Sequence, residues 1–219
     1  MTVHHPPRVA VVALVALVVG GCTGLQAPMS GPEVTTTPAV AFQPVPLGPA
    51  VVPDYARTAF GPAWADVDQN GCDTRNDMLA RDLTGEQFRP GTHDCVVISG
   101  QLADPYSGTV VQFVKERANE VQIDHVVPLS WAWRHGAYSW TAQHRLEFAN
   151  DPENLQATLG RLNAAKGDSG PDEWLPPAQA YTCAYLDRWV AVRTKYQLDP
   201  PAQPAAAAAS DCGRTPPPA

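Results

Sequence analysis

Apolar and polar positions divide the chain into three regimes. Residues 9–19 form an unbroken apolar run, Val9 to Val19, entered from Arg8 and left through Gly20, Gly21 and Cys22. From Cys22 to about Pro53, Pro, Thr, Ala and Gly dominate, with no apolar period of either 2 or 3.6. Beyond that, short patterned segments alternate with turn residues. Residues 73–83 place Met78, Leu79 and Leu83 behind an Asp, Thr and Asn start, which predicts a short amphipathic helix. Residues 95–100 and 108–114 are rich in β-branched side chains and flank Asp104-Pro105-Tyr106-Ser107-Gly108, which predicts a β-hairpin. Residues 121–127 read as a third strand stopped by Pro128, and residues 154–158 as another brief strand. Short helices are expected over 131–135 and 141–149, separated by Gly136, and a further helix opens over 161–166. A clearer one covers 181–196, with Tyr181, Tyr185, Trp189 and Val192 on one side. The class is α+β.

The first regime is too short to span a bilayer, which takes about 20 apolar residues; it reads as a signal peptide, residues 1–21. Val19-Gly20-Gly21-Cys22 resembles the bacterial lipoprotein box, which would acylate the Cys22 thiol; ordinary secretion with cleavage nearby is the plainer alternative. Either way the chain is exported, as a cell-membrane lipoprotein or a secreted protein. Residues 22–53 bury too little to offset their ordering entropy and read as a tether. Residues 54–212 suit one compact domain, expected as a monomer, and residues 213–219 a disordered tail.

Five cysteines leave four once Cys22 is assigned to lipid. In an exported chain an even remainder favours disulfides, with three connectivities possible; spacing favours Cys72 with Cys95 and Cys183 with Cys212, each closing a local loop. A four-cysteine zinc site lacks the C-x-x-C pairs it would need. The net charge of -7 counts against gripping nucleic acid by bulk electrostatics, so a nuclease reading requires a local basic lining. Arg134, Arg145, Arg161 and Lys166 fall in the right stretch to supply one.

The chemistry concentrates between residues 121 and 177. Ile123-Asp124-His125-Val126-Val127-Pro128 is followed by Asn154-Leu155 and by Asn163-Ala164-Ala165-Lys166-Gly167-Asp168. Phosphodiester hydrolysis needs a base to deprotonate water, a cation beside the scissile phosphate and stabilisation of the departing oxygen. His125 can be the base, Asp124 and Asn163 offer oxygen ligands suited to Mg²⁺ or Mn²⁺, and Asn154 can hold the imidazole or the neighbouring backbone. Adjacent strand residues face opposite ways, so Asp124 and His125 can share a site only if the strand ends or bends there.

These residues resemble the HNH (ββα-metal) endonucleases: D-H on a first strand, N-L on a second and N-x-x-K at a helix. Gly71-Cys72-Asp73-Thr74-Arg75, Phe148-Ala149-Asn150-Asp151 and Trp174-Leu175-Pro176-Pro177 extend the likeness to the secreted HNH proteins related to the C-terminal domain of GmrSD restriction enzymes. The resemblance implies a ββα-metal core with added helices and an N-terminal hairpin, stapled by two disulfides. It also implies His125 as general base, Asp124 and Asn163 as metal ligands and Asn154 as the orienting residue. Asn163 stands where many HNH enzymes carry their third-motif histidine, which favours Mg²⁺ or Mn²⁺ over a softer metal. Lys166, Arg145, Arg161 and Arg75 become candidate substrate contacts, Lys166 being equally a solvated helix position. For Asp73 and Arg75 a helix-capping Asp with a paired Arg is the plainer reading.

Other features have bland explanations. His93, His135 and His144 read as surface histidines. Trp131, Trp133, Trp140 and Trp174 can stack bases but more often pack a core. Residues 66–77 match the D-x-D-x-N-G opening of a calcium loop, yet Asp77 replaces its closing Glu. The expectation is therefore an exported, metal-dependent endonuclease acting on DNA, with RNA as a second candidate. The rival is a catalytically silent lipoprotein using the same scaffold to bind an envelope partner.

Overall fold

Capping and turn chemistry set the element boundaries in the computed structural model, which describes residues 51–200 and Cys212. Helix α1 (Thr74–Asp82) starts where the Asp73 carboxylate accepts the Asn76 N–H at 2.9 Å, the capping role expected of that residue. The chain passes directly into β1 (Leu83–Phe88), a strand the alternation does not predict. Gly85, at φ +61°, lies where the pairing register with β2 (Val97–Asp104) is interrupted, so the apolar alternation is lost. The expected hairpin is β2 with β3 (Thr109–Val114), and β1 completes a three-stranded antiparallel sheet. At its turn the Asp104 carboxylate accepts the N–H groups of Tyr106 and Ser107 and the Thr158 hydroxyl, tying this sheet to the second.

The second sheet pairs β4 (Val121–His125) antiparallel with β5 (Leu155–Leu159), Val121 opposite Leu159 and His125 opposite Leu155. Helices α2 (Leu129–Arg134) and α3 (Ala142–Ala149) lie between the two strands in sequence, and α4 (Gly160–Lys166) follows β5 at once. Gly160 is required at that junction: a Cβ there would stand 2.1 Å from the Asn119 carbonyl oxygen, because the Gly160 N–H donates to the Glu120 carbonyl at 2.9 Å. Gly167, at φ +57°, ends α4, so the helix opening at 161 is a short one.

Alternation on the second sheet buries one apolar face. Val121, Ile123, Leu155 and Ala157 pack with Met78, Leu79, Val97 and Phe113 in one buried cluster. The other cluster is aromatic: Phe60, Tyr106, Trp131, Trp133 and Phe148 meet Tyr185, Trp189 and Val192 of α5 (Gln179–Lys195). Burying each such side chain contributes about 1.5–3 kcal/mol. Trp131 and Trp133 belong to this core and Trp140 and Trp174 pack against it. Arg188 of α5 donates to the carbonyls of Pro152, Glu153 and Leu155, fixing the entry to β5. Disulfides join Cys72 to Cys95 and Cys183 to Cys212, the pairing expected from spacing. Among the described residues no helix is long and apolar enough to cross a membrane. The signal peptide, Cys22, most of the tether and the 213–219 tail lie outside the described residues.

Candidate functional site

Strand β4 ends at His125, and Pro128 starts α2 three residues later. That termination lets neighbours of opposite facing border one space: Asp124, His125 and Asn163 line an open cavity of about 260 Å³, together with Tyr55, Arg57, Ser130 and Asp168.

The His125 ring is half-buried, its Nε2 2.8 Å from the Ala149 carbonyl oxygen. A carbonyl only accepts, so Nε2 carries the proton and the neutral ring keeps its lone pair at Nδ1. Burial pulls the imidazole down to about 4, the Ala149 bond opposing and the charges of Arg57 and Lys166 assisting. The ring is therefore neutral near pH 7. Trp64 lies parallel to it, within 10°, at a centroid separation of 6.0 Å.

Asn154, wholly buried, clasps the backbone beyond the histidine. Its Oδ1 accepts the Val127 N–H at 2.8 Å, its Nδ2 donates to the Val127 carbonyl at 3.2 Å, and its own carbonyl accepts the Val126 N–H at 2.8 Å. Of the two orienting roles open to Asn154, the contact is with the neighbouring backbone.

Asp124 is buried on the α4 side of β4. Its Oδ1 accepts from the Lys166 ammonium at 3.0 Å and its Oδ2 from the Tyr106 hydroxyl at 2.7 Å. Burial raises its carboxyl pKa, while Lys166 and the Tyr106 bond pull the other way. Asn163 is half-buried and donates from Nδ2 to Gln122 Oε1 at 2.9 Å, leaving its amide oxygen as the available donor atom. Among the described residues no three His, Cys, Asp or Glu side chains gather into a metal cluster. A cation here would rest on one carboxylate and one amide oxygen, a set that fits hydrated Mg²⁺, which keeps several waters and needs few protein ligands. The Lys166 charge beside Asp124 would weaken that binding.

The basic residues fall in several environments. Lys166 is not a solvated helix position: its side chain is 0% exposed, and Nζ is held by Asp124 and by the His125 carbonyl at 2.8 Å. Arg145 spends its guanidinium on the carbonyls of Ala59, Ala137 and Trp140, and Arg75 reaches those of Ala118 and Val121. Both brace backbone. Arg134 is paired with Asp168 at 2.7 Å, and Arg161 is exposed on α4 outside the cavity lining. The cation that does line the cavity is Arg57, which no sequence signal marks: it stands alone in the short 3-10 turn Arg57–Phe60. The acidic loop from Asp66 closes on itself, its Asp66 carboxylate accepting the N–H groups of Asn70 and Gly71.

Residues 73–203 match the family described as GmrSD restriction endonucleases, C-terminal domain. A secreted protein of Arthroderma benhamiae is 42% identical over 146 residues, covering 66% of this chain and 67% of that protein. No solved structure matches the chain significantly. Helix α1, both sheets, α4 and the residues lining the cavity from β4 onward all fall within the matched region, and the chain therefore belongs to the family of the GmrSD restriction endonuclease C-terminal domain.

Proposed function

We propose that the chain is an exported, metal-dependent HNH endonuclease, with β4, β5 and α4 as its ββα-metal unit. The observation that carries this reading is the Ala149 bond to His125 Nε2, which leaves Nδ1 as the acceptor on a ring that lines one cavity with Asp124 and Asn163. His125 takes the proton of an attacking water at Nδ1. The imidazolium so formed keeps its Nε2–H on Ala149, which disperses part of the new charge. Asn154 keeps the following backbone from shifting, and so fixes the ring's distance from the phosphorus. Asp124 and Asn163 would hold Mg²⁺ or Mn²⁺. The ion would neutralise charge on the scissile phosphate and on the departing oxygen.

Nuclease family membership supports the substrate class, DNA with RNA as the alternative. The apolar 9–19 run and the secreted relative support export, and Val19-Gly20-Gly21-Cys22 supports a lipid anchor on Cys22. The test is digestion of linear, circular and single-stranded DNA and of RNA, with Mg²⁺, with Mn²⁺ and with EDTA, by wild type and His125→Ala. Cleavage should vanish in EDTA and in the variant, a general base typically contributing about 10²- to 10⁴-fold. Cleavage by folded His125→Ala at the wild-type rate would remove the mechanism. No cleavage of any substrate by wild type would leave a silent binding scaffold.

A further inference from the structure

We propose that Arg57 is the anion-gripping residue of this cavity, donating its guanidinium to the phosphodiester backbone of the strand being cut; this rests on the nuclease reading and deepens it. Four observations converge. Arg57 lines the cavity with His125 and Asn163, and its positive charge is felt at the imidazole. Its Nη1 is buried with no hydrogen-bond acceptor, and among the described residues Arg57 forms no ion pair. A guanidinium has five donors in a fixed fork, and leaving one buried without a partner is costly; a turn of the side chain towards an acceptor in the cavity it lines would relieve that cost.

The two carboxylates lining the cavity are paired with groups other than Arg57. Asp124 is held by Lys166 and Tyr106, and Asp168 by Arg134 and Ser130. The turn carrying Arg57 is also held firmly. Phe60 is wholly buried against Trp133 and Phe148, at ring separations of 6.1 and 6.2 Å, and the Ala59 carbonyl accepts from Arg145 Nε at 2.8 Å. The turn that carries the fork is thus a braced scaffold beside the base, which favours positioning over mere attraction. Residue 57 lies outside the matched family region, which starts at residue 73. Phosphate contacts carry no sequence information, so this grip adds affinity and no base preference of its own.

The experiment uses the His125→Ala protein in EDTA, so that binding is read without cleavage, and a fluorescein-labelled single-stranded oligonucleotide followed by anisotropy across a NaCl series. Adding Arg57→Gln should weaken binding about 10- to 100-fold and reduce the log–log salt slope by about 0.7, one phosphate contact on a single strand. Arg57→Lys should keep the slope but recover only part of the affinity, since a point charge replaces a fork. A merely structural arginine would leave the slope unmoved. Unchanged affinity and slope in both variants would overturn the proposal; if Arg57→Gln does not fold, Arg57→Lys decides alone, unweakened binding overturning it. Wild-type cleavage assayed in parallel separates the two readings. Arg57-dependent binding without any cleavage sinks the nuclease and keeps the anion grip, whereas cleavage with Arg57-independent binding does the reverse.

Discussion

Replacing Lys166 with Met tests the interior of the site most severely. The lysine ammonium is completely buried, 3.0 Å from an Asp124 carboxylate that is itself 4% exposed, and 2.8 Å from the His125 carbonyl. Methionine preserves most of the side-chain volume and removes the charge, so Asp124 keeps the Tyr106 hydroxyl as its remaining partner. Removing one member of a buried ion pair costs about 3–5 kcal/mol, because the other charge stays behind uncompensated. For a domain of this size each kcal/mol moves Tm by about 2–4 °C, so the variant should melt roughly 6–20 °C lower. The double variant Asp124→Asn/Lys166→Met carries no charge at either place and should recover much of that loss, as replaced buried pairs often do. Urea unfolding of the wild type, both single variants and the double variant gives the coupling directly. The midpoint should move and the slope should not. A loss below about 1 kcal/mol in Lys166→Met would refute the reasoning. It would return this lysine to the surface, where the N-x-x-K motif alone suggests a phosphate contact.

Three further outcomes follow from other parts of the structure. His125 titrates at about 4 in the fold, against about 6.5 unfolded, so its contribution to stability is present above pH 6.5 and is lost as pH falls towards 4. Wild type should lose up to about 3 kcal/mol relative to His125→Asn across that window, and parallel pH–stability curves would argue against a ring held neutral by burial. Gly160→Ala should destabilise the protein by more than the roughly 1–3 kcal/mol of ordinary overpacking, since the new methyl would meet the Asn119 carbonyl at 2.1 Å; a thermal melt within 2 °C of wild type, on the order of 1 kcal/mol or less, would contradict it. Opening the Cys72–Cys95 bridge with paired serines should cost about 3 kcal/mol in the chain-entropy model, read as a lowered urea midpoint under non-reducing conditions; no change would mean the loop is held closed by other contacts.

Much of this protein was legible along the chain because its signals are local. Asp73 caps α1 three residues from the amide it binds, and the turn at Asp104 lies between two β-branched runs. Pro128 follows the strand that ends in the candidate base. The disulfides followed from counting and spacing, and the D-H, N-L and N-x-x-K spacings singled out the residues that border the cavity or brace it. Strand β1 was hidden because a pairing interrupted at Gly85 lacks the period that marks a strand. Tertiary structure alone decided who meets whom. The Ala149 carbonyl reaches His125 from the end of α3, and Asn154 clasps Val127 across the loops between β4 and β5. Arg57 enters the cavity from a turn that precedes every matched motif. Lys166 has the residue type of a surface cation and the environment of a core residue, a difference set by Asp124 and Tyr106 arriving from other elements. Periodicity reports which face of an element is buried; it does not report the atom waiting on the other side, and for a polar side chain that atom determines whether it binds substrate or holds the fold.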